Sequence, residues 1–251
     1  MTSKIISGFG TIESDRRIEI IDALRGLSVV LMVFHHLGYN IWQFLDGPRW
    51  LFFNPVFDVL HYVFAGLFIF LSGVSSRFSR DNIKRGAIVV VFAMLVTFVT
   101  NRVIYMPIWF GILHLLGFCM LFYGLTFKFW NIIPKIIAPI LYISGIVFSV
   151  IILRDMYLTS DIIWIRDIYW VLGWRQMGYI SRDYFPILPW VFVFLLGTWA
   201  GWFIKNRKLP SKFYRLKPPV FPAIGRKALL IYLLHQPVLY GLVMLIIYLR
   251  G

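Results

Sequence analysis

Apolar positions along this chain come in long runs rather than in alternation. Seven stretches, roughly 20–40, 56–74, 86–104, 109–127, 134–153, 186–204 and 223–249, are apolar over the length of about 20 residues that carries a helix across a bilayer. The runs lack the period of two that half-buried strands require, and they are too long for the strands of a membrane barrel. The pattern therefore predicts an all-α, polytopic transmembrane bundle of about seven spans. A polar tail over 1–19 precedes a single membrane domain over 20–251. That tail holds Glu13, Asp15, Arg16, Arg17 and Glu19, unlike a cleavable leader, so the first run is expected to stay as an anchor.

Composition agrees. Hydrophobic residues make up 60% of the 251, aromatic residues 19% and charged residues 14%, whereas a soluble domain is about 25% charged. Cys119 is the only cysteine, which excludes an internal disulfide. The net charge of +14 would suggest nucleic acid in a soluble protein. Here its distribution gives topology instead. Lys4, Arg16 and Arg17, then Arg77, Arg80, Lys84 and Arg85, then Lys128 and Lys135, then the set from Lys205 to Lys227 fall on one side. Only Arg49, Arg102, Arg154, Arg166, Arg175, Arg182 and Arg250 fall on the other. The richer side is expected in the cytoplasm, with the N-terminus inside and the C-terminus outside. A compact chain without a leader makes the cytoplasmic membrane the expected address, with a lysosome-like membrane as the alternative. The long outer connection, about 154–185, carries Trp164, Tyr169, Trp170 and Trp174 and reads either as a functional loop or as an interfacial aromatic belt.

On that topology the five histidines share a depth. His35 and His36 lie near the outer end of the first span, His61 and His114 shortly after the outer ends of the second and fourth, and His235 at or beyond the middle of the seventh. Ionisable groups inside a membrane usually face a bundle interior or a wet cavity, so a polar chamber opening outward is expected. The alternative for any single histidine is a bond across helices. Arg25 and His36 are eleven residues apart, close to three helical turns, and so share a face about 16 Å apart along the axis. Asp22, three residues before Arg25, is placed to pair with it. His35 points about 100° away and is the weaker candidate. Cations from three spans, Arg77 and Arg80, Arg226 and Lys227, and Arg25, gather at the inner face. They suit either anionic lipid or a phosphate-bearing ligand. Pro237 removes a helical hydrogen bond beside His235 and Gln236, so a kink is expected there.

The stretches "DALRGLSVVLMVFHH", "FIFLSGVSSRFSR", "FGILHLLGFCMLFYGL", "DYFPILPWVFVFLLGTWAG" and "IGRKALLIYLLHQPVLYG" resemble, in order, motifs of the heparan-alpha-glucosaminide N-acetyltransferase catalytic-domain family, from about Arg17 to Tyr240. The Arg25–His36 pair is more distantly similar to the first-helix signature of membrane acyltransferases that modify envelope sugars. The resemblance implies an integral-membrane enzyme that takes an acetyl group from cytosolic acetyl-CoA to an amine or hydroxyl of an extracytoplasmic sugar or glycan. It makes His36 the leading catalytic histidine. The lysosomal sugar acetyltransferase has its histidine in the loop after the first helix; residues 37–60 contain none, so His61 is the second candidate and His235 the third. Arg25, Arg77, Arg80, Arg226 and Lys227 are the candidate donor-binding cations, and Asp58, His114 and Asp183 the candidates on the acceptor side. The plain reading of Asp183 is a helix N-cap before Pro186. Histidine acts either as general base or as acyl carrier. A homo-oligomer stays open. Rival classes are a haem-binding electron carrier, with His61 and His114 as the paired ligands, and a small-solute transporter, which the lack of an inverted repeat disfavours.

Overall fold

A computed structural model describes residues 18–104, 108–155, 163–174 and 183–250. The tail cations Lys4, Arg16 and Arg17, the loop residues Arg175 and Arg182, and the side chains of Trp164 and Arg166 lie outside the described residues. The chain is all-helical, with no strand among the described residues. In order the helices are α1 (Glu19–Phe44), α2 (Pro55–Ser76), α3 (Asn82–Val99), α4 (Ile112–Leu125), α5 (Phe127–Ile132), α6 (Ile137–Asp155), α7 (Ile163–Leu172), α8 (Ile187–Lys205), α9 (Ser211–Arg215), α10 (Phe221–Arg226) and α11 (Ala228–Arg250). Six of the described helical segments are long and apolar enough to cross a membrane. The remaining expected span, the fourth in order over 109–127, is α4, whose 14 residues rise only about 21 Å.

The bundle has two chemically distinct ends. Asn54 accepts from the Phe57 amide and starts α2 at one end, and Asp81 accepts from the Lys84 amide and starts α3 at the other, each a side-chain oxygen satisfying an orphan N–H. Lys205, at the end of α8, donates to the Arg77 carbonyl at the end of α2, so these two helices run in parallel. Trp199 of α8 donates to the Lys135 carbonyl at the start of α6, so those run opposite. The start of α1, the ends of α2 and α8, and the start of α11 thus share a cationic end. The end of α1 and the starts of α2, α4 and α8 share the histidine end.

Buried Ile69, Leu115, Cys119, Tyr123, Phe194 and Leu195 form the middle of the core between α2, α4 and α8. Outward faces stay apolar: Val91 of α3, Phe148 of α6 and Leu242 of α11 are all exposed. That is the arrangement expected where the surrounding solvent is hydrocarbon, in which close contact between helices rests on packing rather than on hydrophobic exclusion. Glycines set the closest crossings. A Cβ on Gly73 would stand 2.0 Å from the Phe194 carbonyl oxygen, and one on Gly197 2.0 Å from that of Phe70, so α2 and α8 meet backbone to backbone. Gly225 of α10 lies against the Asp22 carbonyl of α1 in the same way, at 1.8 Å for the added carbon. The expected seventh span is consequently two elements: α10 ends at Arg226, pressed onto α1, and α11 restarts at Ala228. Pro237 lies within α11.

Candidate functional site

Four of the five histidines meet at one level of the bundle. His35 and His61 are stacked with ring centroids 4.3 Å apart and an interplanar angle of 25°. His35 and His36 are 5.6 Å apart, and His36 and His235 5.0 Å. Three helices therefore supply a row of imidazoles in the order His61, His35, His36, His235. His35, His36 and His61 line a pocket of about 90 Å³, walled otherwise by Phe57, Phe64, Ile112, Asp183 and Phe185 among others. His35 projects from a different side of α1 than His36, but α2 comes to meet that side, so both rings line the pocket. His235 stands behind His36 rather than in the pocket wall. Its Nδ1 lies 2.5 Å from the Tyr232 carbonyl oxygen. A carbonyl only accepts, so Nδ1 carries the proton and Nε2 is left buried without a partner.

His114 is not part of the row. Its Nε2 lies 3.2 Å from Thr97 Oγ1. The Thr97 hydroxyl gives its only proton to the Ile108 carbonyl at 2.6 Å, so His114 donates and binds α4 to α3, the cross-helix alternative. Asp183 does not cap α8, whose N-cap is Pro186 without a side-chain bond. It is buried, accepts a hydrogen bond from Tyr232 Oη at 2.8 Å, and is near enough to act electrostatically on His61, His114 and His235. Asp58 is exposed in the first turn of α2 and also acts on His61. In the outer connection, Trp170 is buried and stacks on Tyr184 at 4.8 Å, which makes it a packing residue.

The cationic end opens into a cleft of about 900 Å³ whose wall includes Arg25, Arg85, Lys205, Arg207 and Arg226. Arg25 donates to Asp22 Oδ1 at 2.8 Å, the pairing expected from the spacing, and to Ser75 Oγ. The Ser75 proton goes to the Leu71 carbonyl at 2.8 Å, which leaves the hydroxyl lone pair for the guanidinium. Arg226 joins Arg25 in the wall because Gly225 seats α10 on α1. Arg77 turns elsewhere: it donates to Tyr123 Oη and Asn131 Oδ1, each at 2.6 Å, outside the cleft. Arg80 and Lys227 are exposed and are not in the cleft wall. In their stead stand Arg85, Lys205 and Arg207, which the sequence offers only as topological charges. The cleft reaches inward to Tyr232, Leu113 and Phe68. Phe68 also lines the imidazole pocket.

A haem does not fit this row. Two axial imidazoles stand on opposite faces of a porphyrin, whereas His61 stacks directly on His35 and His114 is engaged by Thr97. Among the described residues no group of three His, Cys, Asp or Glu side chains is placed to hold a metal ion. The family model described as heparan-alpha-glucosaminide N-acetyltransferase, catalytic, matches residues 17–237. No curated protein and no solved structure matches the chain significantly.

Proposed function

The chain belongs to the heparan-alpha-glucosaminide N-acetyltransferase catalytic-domain family, and from that premise we propose that it carries an acetyl group from cytosolic acetyl-CoA across the bilayer to an amine or hydroxyl of an extracytoplasmic sugar or glycan. One observation carries the reading: Phe68 stands in the wall of both the cationic cleft and the imidazole pocket, so the two compartments adjoin inside the bundle with this one side chain between them. Five cations around a cleft of about 900 Å³ suit a ligand with several phosphate charges, and guanidinium groups match phosphate oxygens in pairs. A narrow arm from such a ligand then extends past Phe68 toward the histidines.

When bound, the donor supplies an acyl group activated as a thioester. His36, in the pocket wall, takes the proton from the attacking N–H or O–H as the new bond to the acyl carbon forms. The carbon–sulfur bond breaks, and the imidazolium returns that proton to the departing sulfur, so the free thiol leaves through the cationic cleft. His235, anchored on the Tyr232 carbonyl, backs His36 and holds its ring in place. Asp183 stabilises the positive charge that develops on the row. His61 faces the incoming acceptor.

Reconstituted protein with labelled acetyl-CoA tests this. His36→Ala is expected to lower transfer by about 10²-fold or more, the usual worth of a positioned base, with CoA binding unchanged. Full activity in that variant removes His36 from the mechanism.

A further inference from the structure

The imidazole pocket opens sideways. Its wall includes Leu31, Phe34 and His35 on α1, and Phe57, Leu60 and His61 on α2. At the rim of this seam Phe34 is 60% exposed and Leu60 38%. Phe34 lies ten residues below the end of α1, about 15 Å, and Leu60 five residues below the start of α2, about 8 Å. Both positions are within helices that span a hydrocarbon layer of about 30 Å, so the opening faces lipid.

Toward the helix ends the same pocket is covered among the described residues. Phe52 packs on the His35 ring at 5.0 Å, and Tyr39 and Trp42 surround Phe52 at 5.1 and 6.2 Å. The turn carrying Phe52 is held down on α1, where the Leu51 carbonyl oxygen would be 3.4 Å from a Cβ on Gly38. Behind the seam His35 Nδ1 is buried without a partner. An unsatisfied buried nitrogen costs about 1–3 kcal/mol, a penalty that a polar group delivered into the pocket removes. The pocket thus has an aromatic cover toward water, an apolar doorway toward hydrocarbon, and a hydrogen-bonding interior.

We propose that the acetyl acceptor is carried on a lipid: an amphiphile whose headgroup bears the amine or hydroxyl, entering between α1 and α2 while its hydrocarbon tail stays in the seam against Phe34 and Leu60. This rests on the acyl-transfer reading and names its acceptor class. A water-borne glycan would have to displace the Phe52 cover to reach the pocket, whereas a lipid-borne headgroup arrives through the seam with its tail already solvated by the bilayer.

The full chain in nanodiscs decides the matter with two probes of the same headgroup, glucosamine and dodecyl glucosaminide. Transfer is read with labelled acetyl-CoA and binding with the tritiated glycoside, corrected for empty nanodiscs. The expected result is a kcat/KM about tenfold or more higher for the dodecyl probe, with the ratio of the two probes falling several-fold in Leu60→Trp, which narrows the seam. Phe34→Trp serves as the second variant if the first does not fold. Equal use of both probes, or a ratio unmoved by either substitution, overturns the lipid-borne acceptor while leaving acyl transfer standing. Tight binding of the dodecyl probe that is lost in Leu60→Trp, with no transfer to either probe, supports the doorway and sinks the acyl-transfer reading.

Discussion

Arg25 shows how a charge is kept within a mostly apolar helix. Its guanidinium is held by Asp22 three residues earlier and by Ser75 from α2, and its outward side forms cleft wall. Arg25→Gln removes the charge while keeping length, so donor affinity is expected to fall about tenfold with little change in the maximal rate; a donor titration checks it. Tyr232 is the complementary case, since it lines the cleft and bonds Asp183 of the imidazole pocket. Tyr232→Phe leaves a buried carboxylate with one donor fewer, and a loss of about 1–3 kcal/mol is expected in chemical denaturation, together with slower transfer. The eleven-residue spacing made Arg25 and His36 legible as one face. His35 was not legible, because a helix with neighbours on two sides can present adjacent residues to one pocket. Arg85, Lys205 and Arg207 were hidden for a different reason. Cations that anchor a helix and cations that grip a ligand are the same residue types at the same depth, and only helix rotation separates them.

At the scale of elements, the glycine contacts decide where the functional side chains stand. Runs of apolar residues gave the long spans, since a helix in hydrocarbon must satisfy its backbone internally. They did not give the break at Lys227, because the backbone approach of Gly225 to Asp22 is a tertiary contact with no periodic signature. That approach brings Arg226 beside Arg25. Gly225→Ala puts a carbon 1.8 Å from the Asp22 carbonyl oxygen, so α10 must move off α1. The expected outcome is weaker donor binding and a stability loss of about 1–3 kcal/mol, the usual cost of overpacking. Thermal melting and the donor titration, run on one preparation, separate the two effects. Gly73→Ala strikes the α2–α8 crossing instead and is expected to lower stability by a similar amount.

At the scale of the whole molecule, the two ends ask for opposite compartments. On the proposed reading, a polyanionic donor made in the cytosol meets Arg25, Arg226 and their neighbours from inside, and the cationic end is then expected to face the cytoplasm. The charge asymmetry of the loops, to which several of the same cations contribute, predicts the same orientation through a different physical cause, the retention of lysine and arginine on the inner side during insertion. The only native thiol, Cys119, is fully buried, so introduced cysteines report without background. Asp46 lies beyond the end of α1 and Lys208 beyond the end of α8, and both are exposed. In intact cells a membrane-impermeant maleimide is expected to label Asp46→Cys and to spare Lys208→Cys until the membrane is opened. The reverse pattern would put the cation cleft on the side where no cytosolic thioester is found. Transfer would then have to run from the histidine end, whose pocket wall contains, among the described residues, no lysine or arginine to hold a phosphate.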